Sequence, residues 1–100
     1  MTDYVFSMVC TPEIEEALLD TVLIHFSEEV FTSMPIFSHG TAPGRLSPAE
    51  QVMGRSRAVF IQILVTTAEV DTLARLLAEK FAGTGIRYWT TPVSLSGELA

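Results

Sequence analysis

Positive charge is scarce in this chain: six Lys and Arg stand against twelve Asp and Glu, for a formal charge of -6 and a pI near 4.7. The few cations form no cluster, so the field around the protein repels phosphate backbones and nucleic acid is excluded as a partner. Cysteine is rarer still. Cys10 has no mate for an internal disulfide and lies in an apolar run, where a thiol acts as a small hydrophobe suited to a reducing cytoplasm. A basic leader is also missing, since Asp3 stands where a signal peptide carries positive charge, and no apolar stretch approaches the ~18 residues of a membrane span. An untargeted, cytoplasmic, soluble protein without direct membrane insertion is expected. Charged residues of either sign make up only 18%, against a usual ~25%, while 48% are apolar. One hundred residues make a single domain, and so small a body has too few charges to wet its whole surface. Self-association is the simplest remedy.

What the chain does contain is four short strand-like runs and two helical ones. Residues 4 to 10 (YVFSMVC) are aromatic and β-branched and end at Thr-Pro, which predicts a first strand. Thr11 is placed to cap a helix, Pro12 fits its first position, and Glu13, Glu15 and Glu16 suit the positive end of its dipole. Ile14, Ala17, Leu18, Val22 and His25 then recur at helical spacing. Residues 30 to 38 predict a second strand, placed at a sheet edge because Pro35 has no amide hydrogen to share with a neighbour. The nearly continuous apolar run 58 to 65 (AVFIQILV) predicts a central strand. Thr67 is read as the cap of a second helix with Val70, Leu73, Ala74, Leu77 and Phe81 on its apolar face. Gly83 and Gly85 end that helix, Arg87 to Val93 form a fourth strand marked as an edge by Pro92, and residues 94 to 100 make a loose tail.

The halves repeat. A shift of 56 residues lays Thr11, Glu13, Ile14 and Glu15 on Thr67, Glu69, Val70 and Asp71, and Val5 and Val9 on Ile61 and Val65. Two strand-helix-strand units with right-handed crossovers, and edges at the proline strands, define an α+β ferredoxin-like βαββαβ sandwich with antiparallel sheet order 4-1-3-2. Helices cover one face of such a sheet. If the repeat-matched Val5, Val9, Ile61 and Val65 face them, alternation sends Tyr4, Phe6, Met8, Phe60 and Leu64 to the bare side, an apolar patch that favours assembly sheet to sheet.

Residues 39 to 57 (HGTAPGRLSPAEQVMGRSR) join the halves and are too long for a simple hairpin, which invites a functional reading beside that of a plain connector. Ser47-Pro48-Ala49-Glu50 has capping-box spacing and predicts a short helical turn. Arg45, Arg55 and Arg57 are candidates to meet an anion, and solvated loop arginines are the plainer alternative. Gly83-Thr84-Gly85-Ile86-Arg87 offers close-approaching amides and one fixed charge to a phosphate or carboxylate, although a glycine C-cap explains Gly83 equally well. His25, His39 and Cys10, with Met8, Met34 and Met53, raise the question of a soft-metal site; no pair has ligand spacing, and His39 beside Gly40 is the best single candidate. No nucleophile and base stand at readable spacing.

Together these features resemble the PII-like signalling proteins over nearly the whole chain. FAGTGIRYWTTPVSLSGEL is similar to the PII segment that joins the phosphate-binding B-loop to the final strand and tail. AEQVMGR followed by GIRYWTTPV resembles more closely a PII-like branch whose genes often accompany heavy-metal efflux systems. The resemblance implies a homotrimer with sheets facing inward, a small ligand in clefts between subunits, and a T-loop over residues 41 to 57 that reports occupancy to a partner such as a membrane transporter. By position, Gly83, Gly85 and Arg87 match the B-loop turn and residues 41 to 57 match the T-loop, with Arg55 and Arg57 inside that loop and Gly40 just before it as further ligand-binding candidates. An adenine nucleotide or other small anion is the implied ligand. The shorter B-loop, a tail without a basic pair and a T-loop without tyrosine argue against sensing in the manner of the nitrogen regulators. The competing reading is a small dimeric ferredoxin-like enzyme of monooxygenase or isomerase type, built on Tyr88-Trp89 and a histidine in an apolar cavity. An RNA-recognition domain on the same fold would need basic charge that the chain does not have.

Overall fold

A computed structural model of the chain describes residues 3–40 and 55–100. Strand β1 (Tyr4–Cys10), helix α1 (Pro12–His25), strands β2 (Phe31–His39) and β3 (Arg55–Val65), helix α2 (Thr67–Lys80) and strand β4 (Arg87–Pro92) follow in chain order. Every strand pair is antiparallel, and the order β2-β3-β1-β4 is the expected 4-1-3-2 seen from the other edge. Pro35 and Pro92 do lie on the two edge strands, where a missing amide hydrogen leaves no gap in the ladder.

The helix starts differ in an instructive way. Thr66, not Thr67, is the N-cap of α2: its hydroxyl accepts from the Glu69 amide at 3.2 Å while the Glu69 carboxylate accepts from the Thr66 amide at 2.8 Å. That reciprocal pair is a complete capping box. Thr67 is the first helical residue, and its amide and hydroxyl donate to the Asp3 carboxylate at 3.0 and 3.2 Å, which ties the front of β1 to the front of α2. Thr11 occupies the N-cap of α1 as expected, but its side chain makes no capping bond.

These helices run from Pro12 to His25 and from Thr67 to Lys80, so the structural repeat is 55 residues. The C-caps Phe26 and Phe81 obey the same offset, and each bonds back to the carbonyl four residues earlier. A shift of 56 is one residue too long, and one residue reverses the face of a strand. Tyr4, Phe6, Met8 and Cys10 therefore lie on the helix side, opposite Val65, Ile63, Ile61 and Val59 of β3. Phe6, Met8, Cys10, Val59, Ile61, Ile63 and Val65 form the core with Leu18 and Val22 of α1, Phe26 just beyond it, and Leu73, Leu76 and Leu77 of α2. Val5, Ser7 and Val9 take the bare side. The expectation was inverted for Tyr4, Phe6 and Met8 and correct for Phe60 and Leu64.

The bare side is still apolar. It carries Val5, Val9, Met34, Ile36, Ala58, Phe60, Leu64 and Trp89, of which Met34, Leu64 and Trp89 are exposed. Ala17 and His25, placed above on the apolar stripe of α1, are also exposed. No helix among the described residues is long and apolar enough to cross a membrane.

Candidate ligand-binding site

The strand directions bring the candidate residues to one end of the sheet. β1 ends there at Cys10, β2 at His39, and β3 and β4 begin there at Arg55 and Arg87. Arg55, Ser56 and Arg57 belong to β3 and pair with His39, Ser38 and Phe37, so the strand takes in three residues expected in the loop. The helical turn at Pro48, Arg45 and Met53 lie outside the described residues.

Gly83 and Gly85 adopt φ of +82° and +80°, the left-handed region that glycine enters without strain. The turn is pinned by Thr84, whose amide and hydroxyl both donate to the Phe81 carbonyl at 3.2 and 2.6 Å. Glycine here serves the helix end, and it also leaves open ground, because a Cβ at Gly83 would meet nothing within 4 Å. Both glycines line a cleft of about 290 Å³ between the end of α2 and the start of β4, walled by Leu77, Phe81, Ile86 and Tyr88. Tyr88 stacks on Phe6 with centroids 5.5 Å apart, as its helix-side register requires.

Arg87 does not line that cleft. It pairs with Val9 and therefore projects from the bare side of the sheet. Gly40 closes β2 with φ of +79°. Across the hairpin, the Arg55 guanidinium sits over the Phe37 ring at 4.3 Å from the centroid, a cation–π contact, and its buried Nε has no hydrogen-bond partner. Phe37 had no signal in the sequence, since only the β2–β3 register sets it beside Arg55. Arg57 is exposed on the same side as Phe37.

The separation is large. Phe60 and Arg87 flank Val9 on neighbouring strands, roughly 10 Å apart at Cα, and Arg57 lies three residues further along, so Arg87 and Arg57 stand roughly 14 Å apart on opposite faces. One chain cannot close all of them on one small anion.

The soft-metal candidates disperse. Met8 and Cys10 are core residues, Met34 lies on the bare face, and His25 and His39 are exposed on different elements. Among the described residues no three His, Cys, Asp or Glu side chains are grouped to hold a metal ion. Burial, with Glu15 adding to it, pushes the Cys10 thiol up to about 11, which makes it a poor thiolate donor or nucleophile. Tyr88 and Trp89 point to opposite faces, so Tyr88 lines the cleft without Trp89, and neither His25 nor His39 lines it.

The fold is shared with solved structures. The chain is similar to a protein described as a PII-like signaling protein from Thermus thermophilus, with a TM-score of 0.67 at 14% identity over 93% of this chain and 88% of that one. It is also similar to the periplasmic divalent cation tolerance protein CutA from Archaeoglobus fulgidus, with a TM-score of 0.67 at 10% identity over 98% and 89%. The model of the family described as "Protein of unknown function (DUF3240)" matches residues 1–100, and the chain belongs to this family. A DUF3240 family protein from Shewanella baltica has a TM-score of 0.77 at 20% identity over 100% of this chain and 99% of its own. No curated protein matches the sequence.

Proposed function

We propose that the chain is a non-catalytic regulatory or sensor protein of the PII-like kind, acting in the cytoplasm as a homotrimer whose sheets face inward. The bare sheet face supports the assembly, because a continuous patch of Val, Ile, Met, Phe and Trp side chains favours burial over exposure. The ligand is a small anion, with an adenine nucleotide first among the candidates. Gly83, Gly85 and Arg87 of one subunit meet Gly40, Arg55 and Arg57 of the next, and segment 41–57 carries the occupancy signal to a partner protein. A heavy-metal efflux transporter is the partner class that the sequence resemblance indicates, and His39 at the hairpin end is the residue to test for a metal.

One observation carries this reading. At one end of the sheet the glycine turn, Arg55 and Arg57 lie on the helix side and Arg87 on the bare side, with Arg57 and Arg87 roughly 14 Å apart, too far to close on one small anion within one chain. A second copy brings such groups together, which suits a sensor that couples binding to assembly.

The test is sedimentation to obtain the mass, followed by calorimetry with adenine nucleotides, bicarbonate and soft metal ions. A trimer that binds one of these per subunit is expected. A monomer, or a trimer that binds none, overturns the proposal, and a dimer with a closed cavity behind the sheet favours an enzyme.

A further inference from the structure

Helix α1 has an outward face that its own fold leaves without a partner. Leu18 and Val22 point into the core, so the opposite side of the helix presents Glu13, Glu16, Asp20, Leu23 and Ile24 at helical spacing. The first turns of this stripe are acidic and the last turn is apolar. Leu23 is 51% exposed and Ile24 75%. A surface helix ordinarily keeps its aliphatic residues inward, and two adjacent exposed ones at its end are apolar area left to a partner.

Charge narrows the occupant. Asp3, Glu13, Glu15, Glu16, Asp20, Glu28 and Glu29 all precede Arg45, the first Lys or Arg in the chain. Helix α1 itself carries Glu13, Glu15, Glu16 and Asp20 and no Lys or Arg. A surface of one sign beside an apolar step attracts a segment of the opposite sign with its own apolar end and repels acidic partners. It equally repels anionic lipid, which argues against a membrane anchor. The helices lie behind the sheet, so assembly through the bare sheet face leaves the outward side of α1 available.

We infer that the outward face of α1 is a docking surface for a cationic amphipathic segment of a partner protein. Basic side chains of that segment lie along Glu13, Glu16 and Asp20, and its apolar side chains cover Leu23 and Ile24. The surface needs neither the small ligand nor the trimer, so it stands or falls apart from the function proposed above.

The probe is a fluorescent peptide of 14 residues, the length of α1, with lysines in one half and leucines in the other. A shuffled peptide of the same composition and an acidic counterpart, with glutamates for lysines, serve as controls. Anisotropy should show binding of the patterned peptide that weakens as salt is raised, and much weaker binding of both controls. Glu16→Lys with Asp20→Lys should weaken it by roughly tenfold or more, since like charges then face each other. Leu23→Ser with Ile24→Ser should also weaken it by roughly tenfold, with circular dichroism and sedimented mass unchanged. Equal affinity for the shuffled peptide, or for either variant, overturns the inference. A change of mass in the serine variant also overturns it by making the face a contact between copies, and binding of wild-type protein to anionic vesicles reassigns the face to lipid.

Discussion

Phe60 and Trp89 stack across an intervening strand, their centroids 6.0 Å apart although β1 separates β3 from β4. The pair is diagonal, since Phe60 is level with Val9 and Trp89 with Ser7, and Ser7 is only 2% exposed on a face that no helix covers. The small side chain leaves room for the rings to meet above it. Aromatic pairs of this kind contribute about 0.5–1.5 kcal/mol beyond the area they bury. Here the pair gives the bare face a firm apolar centre.

That centre separates two substitutions of similar chemistry. Phe60→Asp should leave the monomer folded and split an assembly formed through the bare face, because an unpaired charge in a dry interface costs several kcal/mol. Phe6→Asp should instead unfold the protein, since Phe6 is fully buried between helices and sheet. Circular dichroism with sedimentation distinguishes the two. A Phe60→Asp protein of unchanged mass would show that this face is not the interface.

Helix capping predicts an asymmetry between the halves. Thr66→Ala removes one arm of the capping box and should cost about 1 kcal/mol in urea unfolding. Thr11→Ala removes a side chain that makes no capping bond and should cost less than about 0.5 kcal/mol. Equal losses would mean that Thr11 caps in solution.

For the ligand, Arg87→Ala is the sharpest single change, because Arg87 is an exposed first residue of an edge strand whose loss leaves the core intact. A charge-assisted hydrogen bond is worth about 1.5–3 kcal/mol, so affinity for a small anion should fall by roughly ten- to a hundredfold without loss of fold. Calorimetry that finds equal affinity makes Arg87 a strand residue alone.

The Cys10 thiol gives a pH dependence with a definite sign. Its pKa rises from an ordinary 9.0 to about 11 in the folded chain, chiefly by burial and secondarily by Glu15. Above pH 9 the unfolded thiol has lost its proton while the folded one keeps it, so the unfolded state binds fewer protons and stability falls as pH rises. The contribution is fully present below about 9 and declines up to about 11. Urea midpoints across this range should drop in the wild type and drop less in Cys10→Ala, whose overall stability is lower. A thiol reagent at about pH 8 should react slowly with the folded protein and quickly in denaturant.

Much of the architecture was legible because it rests on local chemistry. Strands one and three stand out by aromatic and β-branched content, both helix starts lie within one residue of a threonine, and Pro35 and Pro92 mark the edges because a missing amide hydrogen constrains any sheet. Those residues determine the βαββαβ order and the strand sequence 4-1-3-2 before any contact is known. Tertiary structure alone decided which face each side chain takes. A repeat of 55 rather than 56 residues turns Phe6 and Met8 inward and Val5 and Val9 outward, a choice that alternation permits either way and that packing against Leu18, Val22 and Leu73 settles. Packing likewise leaves Leu23 and Ile24 outside, although their composition suits a core. Register across separate strands sets Arg55 on Phe37 and parts Arg57 from Arg87. Such relations depend on which strands lie side by side and in what phase, and pairing between distant segments is what the folded sheet supplies.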